Sequence, residues 1–183
     1  MKMIRCMFVL LLALAMLLPL AGCGTGNFEQ GTEEVITEEA AAELQRLLDA
    51  FLEEAGGDLN PVGCLWPEQY PSDYAGAYFN TDGELVVMIT EGFESSARRF
   101  RTLTGNPHLL TRTAPHSYRE LEELARTCNR WRAACGSFRF EVLGVKVDAC
   151  NNCVFVQLRN TSNAAIQDFR KLVSDSDAII LYS

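Results

Sequence analysis

Residues 76–89, Gly-Ala-Tyr-Phe-Asn-Thr-Asp-Gly-Glu-Leu-Val-Val-Met-Ile, carry the pattern of a β-hairpin. Asp82-Gly83 is a strong turn signal, because glycine accepts a positive φ without steric cost. Apolar side chains alternate with their neighbours on both sides of this turn, which is typical of strands that bury one face. The side chains predicted to be buried are Ala77, Phe79, Leu85, Val87 and Ile89.

A second stretch of the chain repeats this hairpin. Gly144-Val-Lys-Val-Asp matches residues 76–80 at an offset of 68, and from Leu85 onward the offset is 69. Asn151-Asn152 takes the place of the turn, since asparagine is the next residue most tolerant of left-handed backbone. The apolar side chains coincide: Leu85, Val87 and Ile89 fall on Val154, Val156 and Leu158, Phe100 on Phe169, Leu103 on Leu172, and Leu109-Leu110 on Ala178-Ile179.

Each copy continues with a short helical pattern and a closing strand, predicted at 108–113 and 178–182. We therefore predict an α+β fold with two ββαβ units, about 76–113 and about 138–183. Each unit would be a small antiparallel or mixed sheet covered by a helix, and two longer helices would be shared between them, because a unit of about 40 residues is too small to be stable alone.

The two longer helices follow from apolar side chains at three- and four-residue steps. The first is predicted over 35–54, with Thr37 as its N-terminal cap. The second connects the two units over about 118–135, after the capping box that Ser117 forms with Glu120.

The N-terminus has the pattern of a secretory signal peptide. Lys2 and Arg5 precede a nearly continuous apolar run over 7–20, which is shorter than the roughly 20 residues that span a bilayer. Leu20-Ala-Gly-Cys23 resembles the lipobox of bacterial lipoproteins. That resemblance implies cleavage between Gly22 and Cys23, removal of residues 1–22, and diacylglycerol on Cys23. Residues 23–36 are then a lipidated, flexible tether, and the protein is held at the extracytoplasmic face of a bacterial membrane.

The charge balance excludes nucleic acid as a partner. The full chain carries a net charge of −8, and the leader holds two basic residues and no acid, so the remainder has 14 basic and 24 acidic residues. Such a surface repels phosphate backbones and anionic lipid headgroups. The predicted membrane contact is therefore the lipid on Cys23 rather than a basic protein face.

From about Glu38 to the C-terminus the chain resembles the pro-region of secreted serine proteases of the alpha-lytic protease and streptogrisin type. It is also similar to secreted bacterial proteins that keep this module without an obvious protease. The resemblance rests on four segments: Tyr70-Pro-Ser-Asp-Tyr-Ala-Gly-Ala-Tyr78 leading into Asp82-Gly-Glu-Leu-Val-Val87, His116-Ser-Tyr-Arg-Glu-Leu121, Gly144-Val-Lys-Val-Asp148, and Asn152 to Val156.

Pro-regions of that family help their protease to fold and then block its active site with a C-terminal tail, which would fall on residues 179–183. The sequence contains no Gly-Asp-Ser-Gly nucleophile segment and no Ala-Ala-His-Cys base segment. The resemblance therefore implies inhibition or chaperoning of a separate secreted protease in trans.

We expect no catalytic residue, no cofactor and no metal. The two histidines, His108 and His116, lie outside any His-x-x-x-His spacing, and no Gly-x-Ser-x-Gly turn or phosphate-binding glycine loop follows a predicted strand. The paired glutamates fall on the predicted tether or on exposed helix faces, where solvating charge is the simpler interpretation.

The cysteines leave more alternatives open. Cys150 and Cys153 flank the predicted two-residue turn, which would make them cross-strand neighbours about 5.5 Å apart and able to form a disulfide. Thiol–disulfide catalysis, a zinc knuckle and unpaired thiols compete with that interpretation. Cys128 and Cys135 share the apolar stripe of the connecting helix two turns apart, too far for a mutual bridge, and Cys64 could reach one of them.

Four arginines of the first copy could form a site for an acidic partner, although a solvated helix face is the simpler interpretation. These residues are Arg98, Arg99, Arg101 and Arg112. The function predicted from the whole sequence is non-catalytic: a lipid-anchored module that binds another protein, by strand addition at a sheet edge. The alternatives are a thiol–disulfide redox protein that uses Cys150 and Cys153, and a structural spacer at the cell surface.

Overall fold

A computed structural model of the protein describes residues 36–133 and 138–183. The predicted signal peptide, the cleavage site at Gly22, the lipid attachment at Cys23 and the thiol of Cys135 lie outside these residues. Among the described helices, none is long and apolar enough to cross a membrane.

The described chain runs through two successive sets of the same elements. The first set is α1 (Glu38–Ala55), β1 (Tyr74–Phe79), β2 (Leu85–Thr90), α2 (Ala97–Thr104) and β3 (Leu110–Ala114). The second set is α3 (Tyr118–Arg130), β4 (Val142–Asp148), β5 (Cys153–Leu158), α4 (Asn163–Leu172) and β6 (Ile179–Tyr182). Short 3₁₀ turns occur at Pro67–Gln69, Glu94–Ser96 and Trp131–Ala133.

Each set folds around its own three-stranded mixed sheet. The strand orders are β1-β2-β3 and β4-β5-β6, and the central strand pairs antiparallel with the preceding strand and parallel with the following one. Both hairpins carry a bulge at the same place, after Tyr74 in β1 and after Val142 in β4. The predicted α+β class with two ββαβ units is confirmed.

Local sequence explains where the long helices begin. The Thr37 hydroxyl accepts a hydrogen bond from the Ala40 amide at 3.1 Å, which caps α1 as predicted. The Ser117 and Glu120 side chains form the predicted capping box at the start of α3. This helix ends at Arg130 rather than near residue 135, and a 3₁₀ turn continues it to Ala133.

The inner face of each sheet is packed by one long and one short helix. Phe51 of α1 and Phe100 of α2 lie on the first sheet, while Leu121 of α3 and Phe169 of α4 lie on the second. Each of these four side chains is almost completely buried. α1 packs within the first set, so the repeat is αββαβ and the prediction of shared long helices holds for α3. This helix packs on the second sheet and also contacts the first set, through Tyr118 in the first core and through Arg126, whose guanidinium lies 5.3 Å from the centroid of the Trp66 ring.

The prediction that one offset holds to the end of the repeat is wrong in the last strand. Val86 pairs with Leu110, whereas the equivalent Phe155 pairs with Ile180, so Leu110 corresponds to Ile180 and not to Ile179. The segment between the short helix and the last strand has one more residue in the second repeat. Because neighbouring strand residues face opposite sides of a sheet, this single residue decides the face: Leu110 and Ile180 are exposed, and Ile179 is buried.

Candidate functional site

The outer faces of the two sheets, which point away from the packed helices, differ although their positions correspond. The first outer face consists of Tyr78, Val86, Met88, Leu110 and Arg112. The second outer face consists of Lys146, Phe155, Gln157, Ile180 and Tyr182 in the equivalent positions. These two names are used below for these two sets.

The first outer face is largely closed. Val86 is 4% exposed and Met88 is 3% exposed, and Met88 packs in a small apolar cluster with Ala75 and Ala114. Arg112 lies at its rim and donates a hydrogen bond to the Tyr78 hydroxyl at 3.0 Å. Leu110 and Arg112 on β3 are exposed, so the closed part of this face is its centre at Val86 and Met88.

The second outer face is open. Ile180 and Tyr182 are each 43% exposed, and the Phe155 and Tyr182 rings meet edge to face with their centroids 6.1 Å apart. The exposed cation of Lys146 stands opposite Phe155 in the strand pairing. An apolar centre beside a single cation, on a three-stranded sheet, is the kind of surface that binds another protein.

β6 forms one edge of this sheet and is held in place by Arg170. The guanidinium of Arg170 donates to the carbonyls of Ser176 at 2.7 Å and Ile179 at 3.3 Å. Residues 179–182, on which the resemblance placed an inhibitory tail, are thus paired with β5, and Ile179 is part of the second core. A partner would meet them as a strand edge and not as an extended tail.

The thiols are placed differently from the prediction. The turn of the second hairpin has four residues, Ala149–Asn152, so Cys150 lies within it and Asp148 is the partner of Cys153. The expected cross-strand placement of Cys150 and Cys153 is therefore wrong. Both are free thiols in this structure, as are Cys64 and Cys128. The disulfide itself stays a prediction.

The electrostatics of Cys153 do not favour redox catalysis. Burial, with a contribution from the nearby Asp148 carboxylate, raises the pKa of Cys153. A raised pKa keeps the thiol protonated at neutral pH, whereas catalytic thiols depend on a lowered pKa. Burial also raises the pKa of Cys128, in the core stripe of α3, to about 11.

The histidines are not brought together. His116 lies 3.6 Å from Asp177, measured from Nε2 to Oδ1, and borders a shallow depression of about 370 Å³. The depression is lined by His116, Glu120, Glu123, Leu124, Thr127 and Ser176. Within the described ranges, no group of three or more histidine, cysteine, aspartate and glutamate side chains could hold a metal ion.

The arginines of the first repeat do not form one site. Arg99 binds the carboxylates of Glu54 and Asp73, which fastens α2 to α1 and to the residue before β1. Arg112 lies on the first outer face, on the other side of the sheet. The salt bridges of Arg99 therefore hold elements of the first repeat together.

Two structural features were missed in the sequence. The first is a contiguous aromatic cluster of Tyr70, Tyr74 and Tyr118. Burial raises the pKa of each of these tyrosines. Arg119 donates a hydrogen bond to the Tyr70 carbonyl, which fastens the loop before β1 onto α3. The second feature is Asn152, which was recognised only as a turn residue. The sequence signal of its special role was that an asparagine stands where the first repeat has Gly83.

Part of the chain matches a known protein family. A family described as Pro-like C-terminal domain matches residues 119–181, which run from the first turn of α3 to β6. No curated protein matches the chain. The matched segment contains the second sheet, both helices packed on it and nearly all of the second outer face. The second repeat is therefore similar to a Pro-like C-terminal domain, which fits a pro-region-like module.

Proposed function

We propose that this protein is a non-catalytic binding module of the pro-region type that is anchored by lipid on Cys23 at the extracytoplasmic face of a bacterial membrane. The observation that carries the proposal is the open second outer face beside the β6 edge, within the segment that matches the family. The lipobox-like leader supports the anchor, and the net negative charge favours a neutral or basic protein as the partner.

The mode of binding follows from the chemistry of this edge. A sheet edge presents backbone N–H and C=O groups that an extended partner strand can pair with. Ile180 and Tyr182 supply exposed apolar area next to that edge, which adds affinity to the backbone pairing. The partner we propose is a secreted serine protease, which the module inhibits or helps to fold in trans.

The binding test uses two equivalent residues. Ile180→Lys places a charge on the second outer face beside Phe155, at the β6 edge, and Leu110→Lys makes the same change at the equivalent, 41% exposed position of the first repeat. Titration calorimetry against secreted serine proteases of the same cell should show at least a tenfold weaker affinity for Ile180→Lys and an unchanged affinity for Leu110→Lys.

The same proteins can be assayed for inhibition of those proteases. Removal of residues 180–183 should weaken inhibition or assisted refolding in parallel with binding. Equal affinity of both lysine variants would contradict the proposed surface. Absence of any saturable partner would favour the structural-spacer alternative.

The anchor is tested separately. Cys23→Ala should abolish incorporation of labelled palmitate in growing cells and move the protein from the membrane fraction to the soluble extracytoplasmic fraction, because several acyl chains are needed for firm anchoring. Cys64→Ala, which removes an exposed thiol of the described domain, is the control. Unchanged fractionation of Cys23→Ala would remove the anchor from the proposal.

A further inference from the structure

The two repeats meet at the turn of the second hairpin. The side chain of Asn152 is 5% exposed and makes three hydrogen bonds to backbone atoms that lie outside the second hairpin. Its Oδ1 accepts from the His116 amide at 2.9 Å, and its Nδ2 donates to the carbonyls of His116 at 2.8 Å and Ala75 at 3.1 Å. Its amide group thereby joins β1, the segment before α3 and the second hairpin.

The backbone of Asn152 is also unusual. Its φ is +49°, and it is the one residue other than glycine with positive φ among those described. At the equivalent position of the first hairpin stands Gly83, with φ +76°. Glycine adopts a positive φ without steric cost. For asparagine the same backbone conformation costs some free energy, which another interaction must offset. The three hydrogen bonds offset that cost.

Beside these hydrogen bonds, the backbone of β1 at Gly76 comes close to the turn at Ala149. Gly76 has φ +122°, and a Cβ on it would lie 2.9 Å from the Cβ of Ala149 and 3.2 Å from the Tyr118 ring. The equivalent Gly144 has no such neighbour, since its nearest contact would be the Gln157 side chain at 3.5 Å. Close packing of backbone against a turn is thus confined to the junction.

The junction adjoins the closed face of the first sheet. Ala75, whose carbonyl accepts from Asn152, belongs to the same apolar cluster as Met88 and Ala114. The turn therefore lies at the Ala75 end of this cluster.

We propose that the Ala149–Asn152 turn is a latch. Closed, it lies against the Ala75 end of the first outer face, and the Asn152 side chain is its fastening. Open, it releases Ala75 and the apolar cluster around Met88, while Tyr118 and Arg119 of α3 keep the two repeats together. This device is independent of the binding function proposed above.

Cysteine reactivity distinguishes opening of the latch from unfolding. Cys153 follows the turn directly and is buried, whereas Cys128 is buried among the side chains of the second core. Opening of the latch should expose Cys153 and leave Cys128 protected. Global unfolding exposes both thiols equally.

The experiment compares Asn152→Gly with Asn151→Gly in the full chain. Asn152→Gly keeps the left-handed backbone and removes only the side chain, while Asn151→Gly makes the same change at the exposed neighbour. Iodoacetamide labelling, quantified for each cysteine by mass spectrometry, should show Cys153 labelled at least tenfold faster in Asn152→Gly and Cys128 unchanged. Scanning calorimetry should show one transition with a lower midpoint than that of the wild type, because α3 still joins the two repeats.

Asn151→Gly should behave as wild type in both measurements. If Asn152→Gly cannot be obtained folded, Gly76→Ala opens the same contact from the other side and should give the same labelling pattern. The latch is overturned if Cys153 stays protected in the folded variant, or if Cys153 and Cys128 gain reactivity together.

Discussion

The two repeats are alike on the inner faces of their sheets and different on the outer faces. Phe100 and Phe169 occupy equivalent places, each fully buried under the helices. On the opposite side, Met88 is buried while its equivalent Gln157 is half-exposed. The repeated apolar pattern thus reproduces each core, whereas the outer faces differ. The turn of the second hairpin lies against the Ala75 end of the first outer face, and the second outer face is open.

The largest effects should be equal in the two repeats. Phe100→Ala and Phe169→Ala each remove a buried ring from the inner core and should each lower the free energy of unfolding by about 3–5 kcal/mol. Urea denaturation followed by circular dichroism measures both. A difference of more than about 2 kcal/mol between them would break the equivalence of the inner faces.

Lysine on the outer faces should separate the repeats. Met88→Lys buries a charge without a partner and should cost about 3 kcal/mol or more. Gln157→Lys, at the equivalent half-exposed position, should change stability by no more than about 0.5 kcal/mol. The measurement is again the urea midpoint, and similar losses for the two variants would mean that both outer faces are closed.

The equivalent glycines should respond in opposite ways. Gly76→Ala forces a Cβ against Ala149 and an unfavourable positive φ on alanine, so the expected loss is about 2–4 kcal/mol. Gly144→Ala has only an ordinary contact with Gln157 and should be neutral or stabilising by about 0.5 kcal/mol. Thermal unfolding of the two variants, side by side, shows whether the tight contact is confined to the junction.

Alkaline pH should act on the second repeat through Cys128. Burial raises the pKa of this thiol from 9.0 to about 11, so the folded state keeps it neutral while the unfolded chain ionises. Its contribution to stability is complete below about pH 9 and is lost as the pH rises toward 11, up to about 2 kcal/mol. Urea midpoints at pH 8 and 10.5 should therefore fall less steeply in Cys128→Ala than in wild type. Identical pH slopes would show that the thiol is not held in the core.

Local patterns predicted most of the fold. Alternation around Asp82-Gly83 gave the first hairpin and its buried face, and Thr37 and Ser117 marked the helix starts. What failed was the alignment of the two closing strands, because one added residue between α4 and β6 shifts the correspondence by one without disturbing the apolar pattern. Cys150 was misplaced for a similar reason, since a four-residue turn and a two-residue turn suit the same residues.

The candidate site was harder to predict than the fold. The equivalent residues Met88 and Gln157 differ in polarity, and this was the local signal of a covered and an open position. The signal does not show what lies against the first sheet, because the bond from Asn152 to the Ala75 carbonyl joins residues 77 positions apart in the chain. The sequence sign of that bond is that Asn152 stands at the position where the first repeat has Gly83.

The most direct test of this account is the accessibility of the two outer faces. Single cysteines introduced as Met88→Cys and Gln157→Cys, in a chain whose seven original cysteines are all replaced by alanine, report on equivalent positions of the two sheets. Maleimide labelling under native conditions should be at least about a hundredfold faster at position 157, because labelling at position 88 requires the closed face to open. Equal labelling rates at the two positions would contradict the account.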